Sequence, residues 1–97
     1  MRHFVAGFLK SEHFTYRQWD RTINDKALRS ILKNVDTNRS NTLLIVSRKV
    51  LKKINIKINK ELFIKIDNNT LITCFYCEFQ EYCANNREQN YLIIDKI

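Results

Sequence analysis

The chain has 97 residues, of which 44% are hydrophobic and 28% are charged, and it carries a net charge of +7 at pH 7. This length is that of one compact domain, so we expect residues 1–97 to form a single domain, and the composition excludes a chain too polar to fold. The N-terminal apolar run from Phe4 to Leu9 is too short for a signal peptide, and no run reaches the roughly 18 residues of a membrane span. We therefore expect a cytoplasmic protein with no membrane partner, whose positive charge favours a polyanion such as nucleic acid.

Two helices are predicted in the first third of the chain. The first runs from Ser11 to about Trp19, with Ser11 or Thr15 as its N-cap. The second is capped by Thr22 or Asn24 and ends before the polar, turn-forming stretch 36–41. Its evidence is a set of apolar residues that recur at every fourth position, namely Ile23, Ala27, Ile31 and Val35.

Beyond residue 41 the hydrophobic period changes from four to two, which is typical of β-strands. The predicted strands are Leu43 to Ser47, Ile54 to Ile58, Leu62 to Asp67, Thr70 to Phe79 and the strand-like Tyr91 to Ile97. Asn68-Asn69 offers a turn, and Gln80 to Asn90 is irregular or a short helix.

Helices followed by consecutive strands indicate an α+β protein. We expect the N-terminal helices to pack on one face of a three- to four-stranded antiparallel sheet, with the other face exposed. The expected core contains Ile23, Ala27, Ile31, Val35, Ile64 and Ile72.

Cys74, Cys77 and Cys83 form a C-x2-C-x5-C cluster, which indicates either a zinc site or ordinary buried thiols. A structural zinc site requires four ligands, and the two histidines lie about sixty or more residues upstream. In addition, Cys74 and Cys77 fall on a predicted strand, where residues three apart point to opposite faces. We therefore expect no metal and no cofactor.

His13, Arg17 and Arg21 are spaced four residues apart, so on one helix they form a stripe. Such a stripe presents an imidazole and two guanidinium groups to a single phosphate. The alternative is an ordinary solvated helix face, and the spacing alone leaves both interpretations open.

The N-terminal half also carries a family-like pattern. Its opening Ser11-Glu12-His13 is followed by Arg17, by Arg21 four residues later, and then by the second predicted helix. From residue 9 to residue 76 the chain resembles the BrnT-like and RelE-like toxin domains. The resemblance implies a metal-independent endoribonuclease of the barnase, colicin and RelE group, neutralised by an acidic antitoxin or immunity protein.

Cleaving RNA without a metal requires a base, an acid and cations that stabilise the phosphorane. Histidine is suited to either proton-transfer role, and we hypothesise that His13, Arg17 and Arg21 meet Arg48 at one basic, concave edge of the sheet. Tyr16, Trp19 and Tyr76 are candidates for stacking on a splayed base, and we expect Tyr16 to be exposed and Trp19 to be buried. We expect RNA to contact four further side chains, Tyr16, Lys52, Lys53 and Tyr76.

Two other classes of function fit the sequence. One is a non-enzymatic, phage- or plasmid-type protein that binds nucleic acid or inhibits a nuclease through a basic sheet face. The other is the antitoxin or immunity partner itself, which fits less well because a partner of a basic toxin needs an acidic surface.

Overall fold

The computed structural model describes residues 3–85 and 90–97. Over these residues the chain forms six strands and four helices. In chain order the elements are β1 (Phe4–Val5), β2 (Phe8–Lys10), α1 (Glu12–Asp20), α2 (Asp25–Leu32), β3 (Thr42–Val46), α3 (Arg48–Lys53), β4 (Glu61–Asp67), β5 (Thr70–Cys77), α4 (Phe79–Asn85) and β6 (Tyr91–Ile94).

The strands form one mixed sheet in the order β1-β2-β5-β4-β3-β6. Its centre is the predicted antiparallel meander of β3, β4 and β5, and Asn68 makes the turn between β4 and β5 with a positive φ of 55°. The expectation of three or four antiparallel strands is nevertheless wrong, because β2 pairs parallel to β5 and β6 pairs parallel to β3. Parallel pairing joins segments that are distant in the chain, so it cannot be predicted from the local hydrophobic period of the sequence.

The segment from Ile54 to Ile58 is not a strand, although its apolar and polar residues alternate strictly. The preceding residues form α3, and the segment crosses the surface as a loop in which Asn55 has a positive φ of 64°. Ile54 and Ile56 pack against the core, whereas Ile58 is exposed. The alternation arises here because the loop turns Ile54 and Ile56 towards the core and the polar residues between them towards solvent.

The first three helices and one face of the sheet share a large hydrophobic cluster, the helix-side core. Ile23, Ala27, Ile31 and Ile64 are buried there as expected, while Val35 is half-buried. Ile72 is half-buried as well and lies outside the helix-side core. Burying the apolar face of each helix supplies most of its stability, because isolated helices of this length are marginal in water.

The opposite sheet face is not exposed as predicted. Leu43, Ile45 and Phe63 are buried on it, and Phe79 and Tyr82 of α4 pack against them. Helices therefore cover both faces of the sheet. The sequence does not show this because the α4 segment is polar overall, and among its described side chains Phe79 and Tyr82 make the contact with the sheet.

Helix α1 lies along the edge of β5, beyond the point where the short β2 ends. Ser11 fixes this placement, because its hydroxyl caps α1 by accepting from the Phe14 N–H and donates to the Ile72 carbonyl. The Ser11 N–H also donates to the Leu71 carbonyl. Asn24 caps α2 through the Ala27 N–H. The attachment of α1 to the edge of β5 therefore also fixes the position of its exposed side chains.

No helix in the described part of the chain is long and apolar enough to span a membrane.

Candidate nucleic-acid interface

Two aromatic side chains stand on the outer side of α1. Trp19 is 85% exposed and Tyr16 is 65% exposed, and their spacing of three residues places them on one helix face. The exposure of Tyr16 agrees with expectation, whereas the predicted burial of Trp19 is wrong. Phe14 and Gln18 are the buried residues of this helix, so Trp19 is turned outward.

Gln18 can occupy this buried position, where an apolar side chain is expected, because its amide has two hydrogen-bond partners. Its Nε2 donates to the Ile23 carbonyl at 2.8 Å and to Asp25 Oδ1 at 2.7 Å. Asp25 also binds the Nζ of Lys10 at 2.6 Å. A buried polar group is tolerated when it is hydrogen-bonded, and this network removes the need for Trp19 to fill the core.

A surface groove begins beside Trp19. Its first part, of about 480 Å³, is lined by Gln18, Trp19, Thr22, Ile23 and Asn24. The second part, of about 430 Å³, shares Thr22 and Asn24 with the first and extends to Lys26 and Lys53. We call the two parts together the Trp19 groove. Thr22 adopts a left-handed φ of 53° at the turn between α1 and α2, where the two parts meet.

His13 and Arg17 of α1, together with Arg21 at the C-cap, lie on the flank that faces β5. His13 is exposed, and its Nε2 is 3.0 Å from Thr73 Oγ1. Arg17 and Arg21 are half-buried, and the Nη1 of Arg21 forms a 2.7 Å ion pair with Asp20. The structure thus places the three predicted residues on one helix flank.

The positive charges of Arg17 and Arg21 also affect the buried Cys74 in the middle of β5. Burial raises the pKa of the Cys74 thiol to about 11, and the positive charges of Arg21 and Arg17 partly oppose that rise. Burial likewise raises the pKa of Tyr76. The Tyr76 ring packs against the helix-side core, and its hydroxyl is buried with no hydrogen-bond partner. Its predicted role in base stacking stays a prediction.

Arg48 lies at a different position along the sheet from His13. Its Nε is 3.2 Å from Glu61 Oε2, close enough for ion pairing although out of line for a hydrogen bond. Glu61 pairs with Cys77, four residues along β5 from Thr73, which is about 13 Å at the rise of a strand. His13 and Arg48 are thus anchored at separate positions, and their joint contact with one phosphate stays a prediction.

A basic pocket around α3 is not predicted from the sequence. Lys52 lies in it, together with Arg48, Lys57, Ile58 and Asn59, and it encloses about 600 Å³. We call it the α3 pocket. The available signal is the stretch 48–60, which contains six Lys or Arg residues and no Asp or Glu. Assigning Ile54 to Ile58 to a strand obscured it.

The thiols give no sign of a shared site in the described residues. Cys74 belongs to the helix-side core and Cys77 packs against the opposite face, as their spacing on a strand predicts. The Cys83 side chain lies outside the described residues. Among the described side chains, no group of three His, Cys, Asp or Glu residues is arranged to hold a metal ion.

Comparison with protein-family models, with curated proteins and with solved structures gave no match to this chain. The assignment of a function therefore rests on the geometry of α1 and the Trp19 groove.

Proposed function

We propose that this protein binds single-stranded RNA along the outer side of α1 and the Trp19 groove. The observation that carries the proposal is the 85% exposure of Trp19 beside the exposed Tyr16. Tryptophan is highly buried on average, and leaving two large aromatic residues in water forgoes the stabilisation that their burial would give. Base stacking on such rings contributes about 1 to 3 kcal/mol per base.

The charge of the protein favours nucleic acid over an apolar protein partner. The chain carries a net +7, and the Trp19 groove leads from the indole ring to Lys26 and Lys53. Stacking platforms followed by cations are the combination used for single strands, whose bases are free to leave the helix stack. Duplex RNA keeps its bases paired and cannot occupy Trp19 in this way.

RNA cleavage is a second candidate function, and the position of His13 favours it. His13 is exposed one turn from Arg17 and three residues from Tyr16, so bound RNA would pass beside the imidazole. With the proton on Nε2, which faces Thr73, Nδ1 is free to accept a proton from a ribose hydroxyl. An acidic antitoxin or immunity protein would then be the natural partner, because it complements the positive surface.

The binding proposal is tested through Trp19, the only tryptophan in the chain. Titration with a single-stranded oligouridine should quench its fluorescence and shift its emission, whereas duplex RNA of equal charge should leave the signal largely unchanged. Binding of a labelled oligouridine should weaken by about 5- to 100-fold in Trp19→Ala, which corresponds to the loss of one stacked base.

Tyr91→Ala is the matched control, because Tyr91 is also an exposed aromatic residue but lies on β6. It should bind as the wild type does. Equal affinity of Trp19→Ala and wild type, or equal loss in both variants, would overturn the proposal.

The cleavage candidate needs a separate assay. Cellular RNA is incubated in EDTA with wild type, His13→Ala and Arg17→Ala, and new 5′ ends are mapped. New ends in wild type that disappear in His13→Ala, with oligouridine affinity retained, support a metal-independent nuclease. The absence of new ends in wild type leaves RNA binding as the function.

A further inference from the structure

The α3 pocket is a second basic surface, separate from the Trp19 groove. Its lining consists of Arg48, Lys52, Lys57, Ile58 and Asn59, so it contains three cations and no carboxylate. None of these residues lines the Trp19 groove. The pocket has a volume of about 600 Å³, which is within the range of small-molecule sites.

The guanidinium of Arg48 is held in place before any ligand arrives. Nη1 donates to Asn59 Oδ1 at 3.3 Å, and Nε lies 3.2 Å from Glu61 Oε2. The other carboxylate oxygen of Glu61 accepts from the Phe79 N–H at 3.0 Å, which fixes the carboxylate in turn. An oriented guanidinium loses less conformational entropy on binding an anion than a free side chain does.

The two lysines of the pocket form no ion pair within the described part of the chain. Lys52 and Lys57 are exposed and have no carboxylate within ion-pair distance among the described residues. Lys10 and Lys49, by contrast, are paired with carboxylates. With Glu61 offsetting Arg48, two uncompensated positive charges face the same space.

We propose that the α3 pocket binds a nucleoside phosphate. The phosphate lies among Arg48, Lys52 and Lys57, and the two ammonium groups match a doubly charged phosphomonoester better than a singly charged phosphodiester. The exposed Ile58 supplies an apolar surface for the ribose and base. The Nδ2 of Asn59 is free to donate to the nucleoside, because its Oδ1 is the atom that accepts from Arg48.

The test is calorimetric titration of the full chain with adenosine monophosphate, inorganic phosphate and adenosine. The monophosphate should bind, inorganic phosphate should bind at least about tenfold more weakly, and adenosine should give no measurable heat. Phosphate binding as tightly as the monophosphate, or adenosine binding as tightly, would overturn the proposal.

Variants then locate the site. Lys52→Ala/Lys57→Ala should lower affinity for the monophosphate by at least about tenfold, because each lysine donates a charged hydrogen bond. Lys33→Ala removes an exposed lysine from the end of α2 and should leave affinity unchanged. A double variant that binds as wild type does, or an equal loss in Lys33→Ala, contradicts the assignment.

Nucleotide binding in the α3 pocket is independent of RNA binding by α1. Quenching of Trp19 by oligouridine in the wild type measures binding at α1, and Trp19→Ala, which changes no residue of the α3 pocket, should still bind the monophosphate. The two measurements therefore distinguish an absence of RNA binding at α1 from an absence of nucleotide binding in the α3 pocket.

Discussion

At the scale of single residues, the Cys74 thiol shows how burial changes the pKa of a side chain. Cys74 is fully buried, and its pKa rises from 9.0 to about 11 because the thiolate is poorly solvated there. In the unfolded chain the thiol ionises near its ordinary pKa. The folded state is therefore favoured fully below pH 9, and this contribution is lost as pH rises towards 11.

We predict that the free energy of unfolding falls by about 2 kcal/mol between pH 8 and pH 10.5 through this group alone. Urea unfolding measures it as the difference in pH dependence between wild type and Cys74→Ala. Cys77→Ala, which removes a half-buried thiol, should retain the wild-type dependence. Identical slopes for wild type and Cys74→Ala would contradict the prediction.

Elements are joined by a polar contact that spans β2, α1 and α2. Asp25 accepts from Lys10 at 2.6 Å and from Gln18 at 2.7 Å. The hydrogen bond from Lys10, followed by that from Gln18, lowers the pKa of Asp25. The contribution of this carboxylate is therefore present above pH 3.8 and is lost as pH falls through the lowered pKa.

Asp25→Ala should destabilise the fold by about 3 kcal/mol, because it leaves the Lys10 ammonium buried without a counter-charge. The measurement is urea unfolding at pH 7, with Asp95→Ala as control. Asp95 pairs with Lys49 on the exposed surface, so its loss should change stability little. Restored stability in Lys10→Met/Asp25→Ala would identify the stranded charge as the cause, whereas an Asp25→Ala variant as mild as the control would exclude it.

A second element-scale prediction concerns the attachment of α1 to β5. Ser11 both caps the helix and donates to the Ile72 carbonyl. Ser11→Ala removes both hydrogen bonds and should lower stability by about 1 to 2 kcal/mol. Thr15→Ala is the control, because Thr15 only donates to a helix carbonyl at an exposed position. Equal costs for the two variants would show that the cap does not secure the helix.

The same elements show how much of the fold can be predicted from the sequence. The positions of α1, α2, β3, β4 and β5 follow from capping residues and hydrophobic periods, which act within a few residues. The strand β6 is also predicted, within Tyr91 to Ile97, but its parallel pairing and the strand β2 are not, because they depend on contacts between distant parts of the chain. The placement of Trp19 could not be predicted either, since it follows from the hydrogen bonds that let Gln18 occupy the core.

At the scale of the whole molecule, the effect of charge on RNA binding can be separated from the effect of Tyr16 and Trp19. Lys26 and Lys53 line the Trp19 groove, whereas Lys33 and Lys96 are exposed and do not line it. Each phosphate that a lysine neutralises releases condensed counterions. The salt dependence of RNA affinity therefore depends on the number of lysines that contact the RNA. Lysines that contribute only to the net charge do not change it.

We predict that Lys26→Ala/Lys53→Ala lowers the slope of log affinity against log salt by about 1.4, which is about 0.7 for each lost phosphate contact on a single strand. The slope is measured by anisotropy of a labelled oligouridine from low to moderate salt. Lys33→Ala/Lys96→Ala removes the same two charges from the net +7 and should keep the wild-type slope. If both pairs reduce the slope equally, the RNA responds to the overall field of the protein, and the path along the Trp19 groove is wrong.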